Sequence, residues 1–349
     1  MNAPQRSPAR RVVDLQQPVD DHVLPDTRLL VPERVEGEGQ RGLGRAQPEI
    51  AMSTAIRVFQ GKFGRVALLD MDRPLVTHAH SQCHVLLKAS GTDTFFAVRD
   101  KLQPLTDETA VLINSWEPHS YAHHNPDAPR TLILALYIEP IWLGEIETAL
   151  SSSGYPGFFQ HACALLPQPI RRLAHSLAMQ MLHGEQPRAP ELETTLSHLM
   201  MAVIDAFSEW RSFSASGAHR RANANDHRIR RALSYMQENV GREYDIGQLA
   251  REACLSRAHF FKLFQQHTSL TPNVYANVLR MEAAIEGLTA SQGPIVGVSE
   301  SLGFSAQSHF TRFFQQHLGA APSQYRRVVD VYRSEAASAS PPVHELARV

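Results

Sequence analysis

The chain has few cysteines and no long apolar segment. Only Cys83, Cys163 and Cys254 occur among 349 residues. Because they are scattered and odd in number, we expect reduced thiols rather than a disulfide framework or a cysteine-based zinc site. No apolar run approaches the roughly 18 residues that a membrane-spanning helix needs, and no signal peptide opens the chain. These absences predict a cytoplasmic protein that does not enter a membrane.

The net charge of −1 conceals a difference between two parts of the chain. Residues 52–211 contain 12 Lys and Arg against 16 Asp and Glu, a balance of −4, whereas residues 227–333 contain 12 against 8, a balance of +4. A basic surplus is compatible with binding to phosphates, although many basic faces contact only solvent. The length favours two domains with connecting segments.

Composition and periodicity divide the chain into six segments. We predict a disordered leader at 1–51, a strand-rich domain at 52–140, a helical connector at 141–211, a linker at 212–226, a helical domain at 227–333 and a loose tail at 334–349. Because a globular pattern begins directly after Met52, we hypothesise that Met52 is the true start or that the leader is an unstructured arm.

The strand-rich domain consists of short apolar runs separated by Gly, Pro, Asp and Asn. The runs lie at 66–69, 84–87, 95–98, 110–113 and 132–138. Many short strands without a helix predict a barrel or a sandwich.

The connector contains a helical stripe. Leu192, Leu196, Leu199, Val203 and Phe207 recur at helical spacing after Pro190, which suits a helix start. Two interpretations stay open: the helix packs on its own domain, or the stripe is a dimer contact.

One pattern occurs twice near the C-terminus, with every counterpart 50 positions apart. The first copy contains His259, Phe260, Phe264, Gln265, Gln266, His267, Pro272 and Tyr275, and an identical residue stands 50 positions after each. A segment repeated once predicts two small units side by side.

The first unit has the signals of a helix, a tight turn and a second helix. Asp226, Asp245 and Ser256 suit helix N-caps, and Gln248 completes a capping-box pattern with Asp245. The helix after Ser256 turns one apolar side inward and presents a polar, basic front. The inner side holds Phe260, Leu263 and Phe264, and the front holds Ala258, Phe261, Lys262 and Gln265. This form fits a major groove of duplex DNA.

The second unit repeats the arrangement. We predict a supporting helix at 295–301, positive φ at Gly303 and an N-cap at Ser305. The front of its second helix holds Ser308, Thr311, Arg312 and Gln315. A helix from Pro272 to about Leu288 would connect the units and fix both fronts for adjacent major-groove segments about 34 Å apart. The alternative is a duplicated helical hairpin that serves only as scaffold.

Residues 229–327 resemble the double helix-turn-helix DNA-binding domain of AraC-type transcription regulators. The motifs are Leu255-Ser256-Arg257-Ala258-His259-Phe260, Thr271-Pro272 with Tyr275, Leu279-Arg280, Gly303-Phe304, Ser308-His309-Phe310, Arg312-Phe313-Phe314, and Pro322 with Tyr325-Arg326-Arg327. The resemblance implies base-reading positions at Arg257, Ala258, Phe261, Lys262, Gln307, Ser308, Thr311 and Arg312. We expect Arg326 and Arg327 to contact phosphates. The resemblance also implies a homodimer that activates transcription together with RNA polymerase.

Histidines cluster in the strand-rich domain. His78, His80 and His84 share strand parity, and His119 follows Pro118 near the end of a later strand. Neutral imidazoles are common metal ligands, so these four residues are a candidate transition-metal site. We interpret His123 and His124 as solvated turn residues.

The cluster resembles part of the cupin barrel found ahead of many AraC-type domains. His84 stands where metal cupins usually have glutamate, Asp72 where they have glycine and His123 where they have asparagine, whereas Gly91 fits. Regulator cupins of this kind mostly bind small effectors without metal. We therefore predict no cofactor and an effector pocket lined by His78, His80, His84, Trp116 and His119, with metal binding by the four histidines as the alternative.

Together these features predict an α+β multidomain protein: a cupin-like β-barrel, a helical connector and an all-α domain with two helix-turn-helix units. The predicted function is sequence-specific DNA binding controlled by a small-molecule effector, without enzymatic activity. One alternative is a metal-dependent cupin enzyme with a DNA-tethering domain, which the missing carboxylate ligand disfavours. Another is an architectural DNA binder without an effector.

Overall fold

The computed structural model describes residues 53–122, 129–184, 186–213, 226–242 and 245–332. The predictions for the 1–51 leader and Met52, for His123 and His124, for most of the 212–226 linker and for the 334–349 tail lie outside these ranges. All three cysteines lie inside them, and none forms a disulfide.

The strands form two sheets. In chain order β1 to β10 span Thr54–Gly61, Gly64–Met71, Cys83–Gly91, Thr94–Val98, Lys101–Leu105, Thr109–Ile113, His119–Ala122, Thr131–Ile138, Cys163–Leu165 and Val329–Val331. The large sheet has the order β10-β1-β2-β8-β3-β6-β9, and the small sheet has the order β5-β4-β7. Every predicted apolar run lies within a strand, so the strand-rich domain is confirmed.

The helices flank these sheets and form the C-terminal half. Helices α1 to α4 span Pro140–Ile146, Gln168–Leu182, Ala189–Phe207 and Trp210–Phe213, and a 3₁₀ turn spans Thr148–Gly154. Helices α5 to α11 span His227–Glu238, Ile246–Glu252, Arg257–Thr268, Pro272–Ala290, Ile295–Ser301, Gln307–Leu318 and Pro322–Val328.

One face of the large sheet packs against α2 and α3. Leu68, Val85 and Leu136 share a core with the stripe of α3, of which Leu192 and Leu196 are at most 1% exposed. Alternate residues of a strand point to opposite faces, so one set of side chains meets these helices. The stripe therefore packs on its own domain. A dimer would need a different contact.

The opposite face of the sheet shares a core with the second helix-turn-helix unit. Leu69, Leu86 and Ile133 belong to the same buried cluster as Phe310 and Phe314 of α10. The first unit has a separate core around Phe260, Phe264 and Met236, which Ala79 of the sheet domain joins. The second unit is therefore docked on the sheet domain through continuous apolar packing.

Two short strands extend the large sheet past the predicted limits of the strand-rich domain at 52–140. Strand β9 pairs with β6, and β10 pairs in parallel with β1. The second pairing joins the end of the helical domain to the barrel sheet. Arg57 supports it with an ion pair to Asp330 at 2.8 Å.

Candidate DNA-binding faces and sensor cavity

The first helix-turn-helix unit begins its helices where the sequence predicts. Asp226 accepts a hydrogen bond from the Arg228 backbone N–H at 2.9 Å, and Ser256 accepts one from the His259 N–H at 3.3 Å. Asp245 accepts from the N–H groups of Gly247 and Gln248. The Gln248 side chain does not complete the capping box, because its amide donates to the Tyr235 hydroxyl at 2.9 Å.

Helix α7 separates a buried side from an exposed front. Phe260 and Phe264 are fully buried. Arg257, Ala258 and Lys262 are exposed, and Phe261 is 39% exposed. The predicted base-reading residues of this unit therefore lie on the solvent side of the helix, with an aromatic ring among them. Their role in reading DNA stays a prediction.

The second unit differs from its prediction at the cap. Helix α9 has the predicted bounds, and Gly303 has a φ of 77°. Helix α10 is capped by Ala306 rather than Ser305, and without a side-chain hydrogen bond. The prediction for Ser305 was wrong by one residue, because its hydroxyl lies 3.1 Å from Nδ1 of His309 instead.

The front of α10 is accessible along its N-terminal half. Gln307, Ser308 and Arg312 are exposed, and Thr311 is half-buried. The C-terminal end of the same helix contacts the sheet domain, because the Val76 N–H donates to the Gln316 carbonyl at 3.0 Å. The predicted base-reading side chains of this half are therefore open to solvent, although Arg312 borders a cleft with Arg73, Pro74 and Leu75 of the sheet domain.

The paired arginines of α11 differ in environment. Arg326 donates to the carbonyls of Leu288 at 3.2 Å and Gly293 at 2.6 Å. It thereby fastens α11 to the end of α8, a role that the sequence did not reveal. Arg327 is exposed. Of the two, Arg327 is the better placed for the predicted phosphate contact.

Helix α8 joins the units, as predicted. It contains 19 residues and begins with Pro272 in its first turn after Thr271 caps it. At about 1.5 Å per residue, such a helix is roughly 28 Å long. The spacing of the two fronts along DNA stays a prediction.

A cavity of about 170 Å³ lies where the barrel meets α8 and the end of α10. The barrel contributes Arg65, His78 and His80, and the helices contribute Glu282 and His317. Two of the predicted pocket residues therefore line it. Because the lining comes from both domains, any occupant would contact the barrel and the helical domain at once.

Of the three other predicted pocket residues, two lie nearby and one does not. The rings of His84 and His119 lie 5.3 Å and 5.1 Å from that of His80 and thus directly behind the cavity wall. Trp116 lies elsewhere, with its ring stacked at 5.3 Å on Tyr275 of α8. The structure thus brings the four histidines together and assigns Trp116 to the contact with the first unit.

Backbone carbonyls orient two of the clustered histidines. His78 Nδ1 lies 2.7 Å from the Val76 carbonyl, and His119 Nδ1 lies 2.8 Å from the Glu117 carbonyl. Since a carbonyl oxygen only accepts, both Nδ1 atoms carry the proton and both Nε2 atoms hold lone pairs. His84 Nδ1 lies 3.3 Å from His119 Nε2 and donates to it.

All four imidazoles are held neutral. Burial is the largest cause that lowers the pKa of His78, His80 and His84 well below its ordinary value, and neighbouring imidazoles and the Arg65 guanidinium add to it. Burial lowers the pKa of His119 to about 4. On the opposite wall, burial raises the pKa of Glu282, which accepts a hydrogen bond from Ser81.

The β2–β3 loop, residues 72–82, connects the histidines to the DNA-binding half. On the barrel side, the backbones of His78 and His119 exchange two hydrogen bonds of 2.9 Å. On the other side, Ser81 Oγ donates to Glu282 of α8 at 2.7 Å, in addition to the Val76 contact with α10. Sequence reasoning missed the contacts of this loop with α8 and α10, because those partners lie about 200 or more residues away and leave no local pattern.

Two family models match the chain. Residues 73–201 match an AraC-like ligand binding domain, and residues 249–328 match a helix-turn-helix domain. In the part of the chain that the structure describes, no helix is both long and apolar enough to cross a membrane.

Curated relatives match part of the chain. An uncharacterized HTH-type transcriptional regulator from Haemophilus influenzae is 31% identical over 83 residues, which are 24% of this chain and 28% of that protein. The HTH-type transcriptional activator RhaS from Pectobacterium carotovorum is 26% identical over 139 residues, 40% of this chain and 46% of that protein. The chain thus matches less than half the length of these relatives.

Solved structures show weaker likeness. ToxT from Vibrio cholerae O395 is 12% identical, with a TM-score of 0.44 over 79% of this chain and 98% of that one. The C-terminal domain of AraT from Geobacillus stearothermophilus is 24% identical, with a TM-score of 0.30 over 35% of this chain and 98% of that one.

Proposed function

Because the chain belongs to the AraC-type family of transcription regulators, we propose that it binds specific sites on duplex DNA through both helix-turn-helix units. A small molecule in the cavity between barrel and α8 controls this binding. The single observation that carries the proposal is the docking of the second unit on the barrel, with a shared core and, at the contact, a cavity lined by several polar side chains.

The exposed fronts of α7 and α10 support the DNA-reading part of the proposal. Each presents a cation at the equivalent position, Lys262 and Arg312, beside small or polar neighbours. Arginine can bind guanine with two hydrogen bonds, and both cations favour the phosphate-rich surface of DNA. Phe261 is an apolar group of a kind that can contact a thymine methyl.

The cavity supports the effector part. Its volume of about 170 Å³ is similar to that of an engineered cavity of about 150 Å³ that binds benzene, so it suits a molecule of one ring or a short chain. Arg65, Gln82 and Asn277 give it hydrogen-bonding side chains. An occupant with different affinity for docked and undocked arrangements would shift the population between them.

The names of the relatives favour a transcription regulator over a cupin enzyme. The Haemophilus influenzae relative is named a transcriptional regulator, and RhaS is named a transcriptional activator. We propose a homodimer that activates transcription together with RNA polymerase, and domain limits at 52–140, 141–211 and 227–333.

The test begins with selection of bound duplexes from a random pool by the purified full chain. A discrete enriched sequence is expected, whereas equal recovery of unrelated duplexes would contradict the proposal. Small metabolites are then screened for those that raise the melting temperature and change the affinity for the selected duplex.

A substitution that fills the cavity tests whether the effector binds there. Ile285 lines the cavity, and Ile285→Phe should abolish the response to any metabolite found. Asn273→Phe is the matched control, because Asn273 is exposed on the same helix. An unchanged response in Ile285→Phe would place the effector elsewhere.

A further inference from the structure

Three histidines near the cavity present nitrogen atoms to a common point. One ligand nitrogen from each of His78, His80 and His119 lies within 4.8 Å of the other two. Zinc–nitrogen bonds of about 2.0 Å in tetrahedral geometry place two ligands about 3.3 Å apart. Ring rotations that bring the nitrogens closer by about 1.5 Å or less would therefore complete such a site.

Two of these rings make hydrogen bonds of the kind that metal-binding histidines make. A histidine that binds a metal usually donates its other ring N–H to a carbonyl or carboxylate, which fixes the tautomer. His78 and His119 make this bond through Nδ1 to the carbonyls of Val76 and Glu117, and so direct Nε2 lone pairs inward.

Unpartnered nitrogen atoms add a second observation. Within the ranges that the structure describes, no hydrogen-bond partner reaches the buried Nε2 atoms of His80 and His84. A buried polar atom without a partner is costly, and a bound ion is one of its ordinary explanations. His84 donates to His119 Nε2, and an ion on that nitrogen would replace this bond.

The donor set selects the kind of ion. Imidazole suits zinc, copper, nickel, cobalt and iron, whereas magnesium and calcium require oxygen ligands. His78 and His80 line the cavity, so a bound ion would keep open positions on the cavity side.

We propose that His78, His80 and His119, with His84 beside them, bind one divalent first-row transition-metal ion in the wall of the interdomain cavity. The site itself does not depend on the proposed regulator function. Its consequence for DNA binding does, and is therefore tested separately.

The β2–β3 loop would transmit the effect of ion binding to the DNA-binding half. The ion would tie His78 and His80 of this loop to His119 of β7. The same loop contacts α10 through Val76 and α8 through Ser81. Tightening the loop on the barrel would thus change how firmly the second unit is held.

The first experiment titrates the metal-free full chain with cobalt(II) and follows its visible absorption. We expect one ion per chain, at least tenfold weaker binding in His80→Gln and His119→Gln, and no change in the control His198→Gln, since His198 is exposed on α3. Absence of binding to the wild type, or unchanged binding in both cluster variants, would overturn the site.

A spectroscopic measurement on the wild type covers the case in which a cluster variant does not fold. X-ray absorption of the cobalt-loaded chain should show at least three imidazole nitrogens around the ion. A sulfur ligand, or a first shell made mainly of oxygen, would overturn the assignment.

The second experiment measures affinity for the selected duplex with and without cobalt(II). The wild type should change its affinity at least threefold. Ser81→Ala keeps every ligand and should bind cobalt like the wild type, but with a smaller change in DNA affinity, because only the Val76 contact with α10 remains. An identical response in Ser81→Ala would overturn the route through Ser81 and Glu282.

The outcomes also separate this inference from the proposed function. A chain that selects a discrete DNA sequence and responds to a metabolite but binds no cobalt is a regulator without the proposed site. A chain that binds cobalt through the cluster but selects no DNA sequence retains the site and refutes the regulator.

Discussion

Replacing Gly303 by alanine tests how the second unit turns between its helices. Gly303 has a φ of 77°, and a Cβ there would lie 1.7 Å from the Gly241 carbonyl oxygen. A left-handed conformation costs an alanine about 1–2 kcal/mol. The backbone around Gly241 would also have to retreat by more than about 1 Å, and overpacking of this kind costs about 1–3 kcal/mol. We therefore expect Gly303→Ala to lower the free energy of unfolding by about 2–5 kcal/mol.

Gly297 provides the matched control within the same unit. It lies inside α9, and a Cβ there would meet nothing within 4 Å. Gly297→Ala should raise the free energy of unfolding by about 0.5–1 kcal/mol, because alanine loses less backbone entropy in a helix.

The assay is urea unfolding followed by circular dichroism, with midpoints compared at a constant m-value. The two variants should shift the midpoint in opposite directions. A Gly303→Ala protein within about 0.5 kcal/mol of the wild type would refute the argument from backbone strain and contact.

Three further predictions concern the fronts and caps. Arg312→Ala should weaken binding to the selected duplex by about 1–3 kcal/mol and relax the preference at one base pair, whereas Arg327→Ala should weaken binding to all duplexes alike. Anisotropy titrations on single-base variants of the duplex measure both effects. Equal losses of affinity for every duplex in Arg312→Ala would contradict base reading. In urea unfolding, Phe260→Ala should lower the free energy of unfolding by about 3–5 kcal/mol, because Phe260 is buried. Phe261→Ala should lower it by less than about 1 kcal/mol but should reduce the affinity for DNA. Similar destabilisation by both variants would contradict the buried and exposed faces assigned to α7. Asp245→Ala should lower the free energy of unfolding by about 1 kcal/mol in the same assay. An unchanged free energy of unfolding would contradict the role of Asp245 as N-cap.

The helical half was predictable because its signals are local. Caps such as Asp226 and Ser256 act on residues two or three positions away, and Pro272 fixes a helix start within its own turn. Apolar periodicity of α7 places Phe260 and Phe264 inside for the same reason. The one misplaced cap, Ser305, failed where a neighbouring side chain, His309, competed for the hydroxyl.

The contacts between the halves were not predictable because they join distant residues. Arg57 and Asp330 are 273 positions apart, and Ser81 and Glu282 are 201 positions apart. No periodicity or spacing links such pairs. The sequence therefore predicted the four-histidine cluster as a group, but not the wall that it shares with α8 or the separate position of Trp116.

Specific DNA binding as proposed requires both helix-turn-helix units to contact one face of the same duplex. Hydroxyl-radical footprinting of the full chain on a selected duplex tests it directly. We expect two protected stretches about one helical turn apart, of which Lys262→Ala weakens one and Arg312→Ala the other. A single protected stretch, or loss of the same stretch in both variants, would contradict the claim.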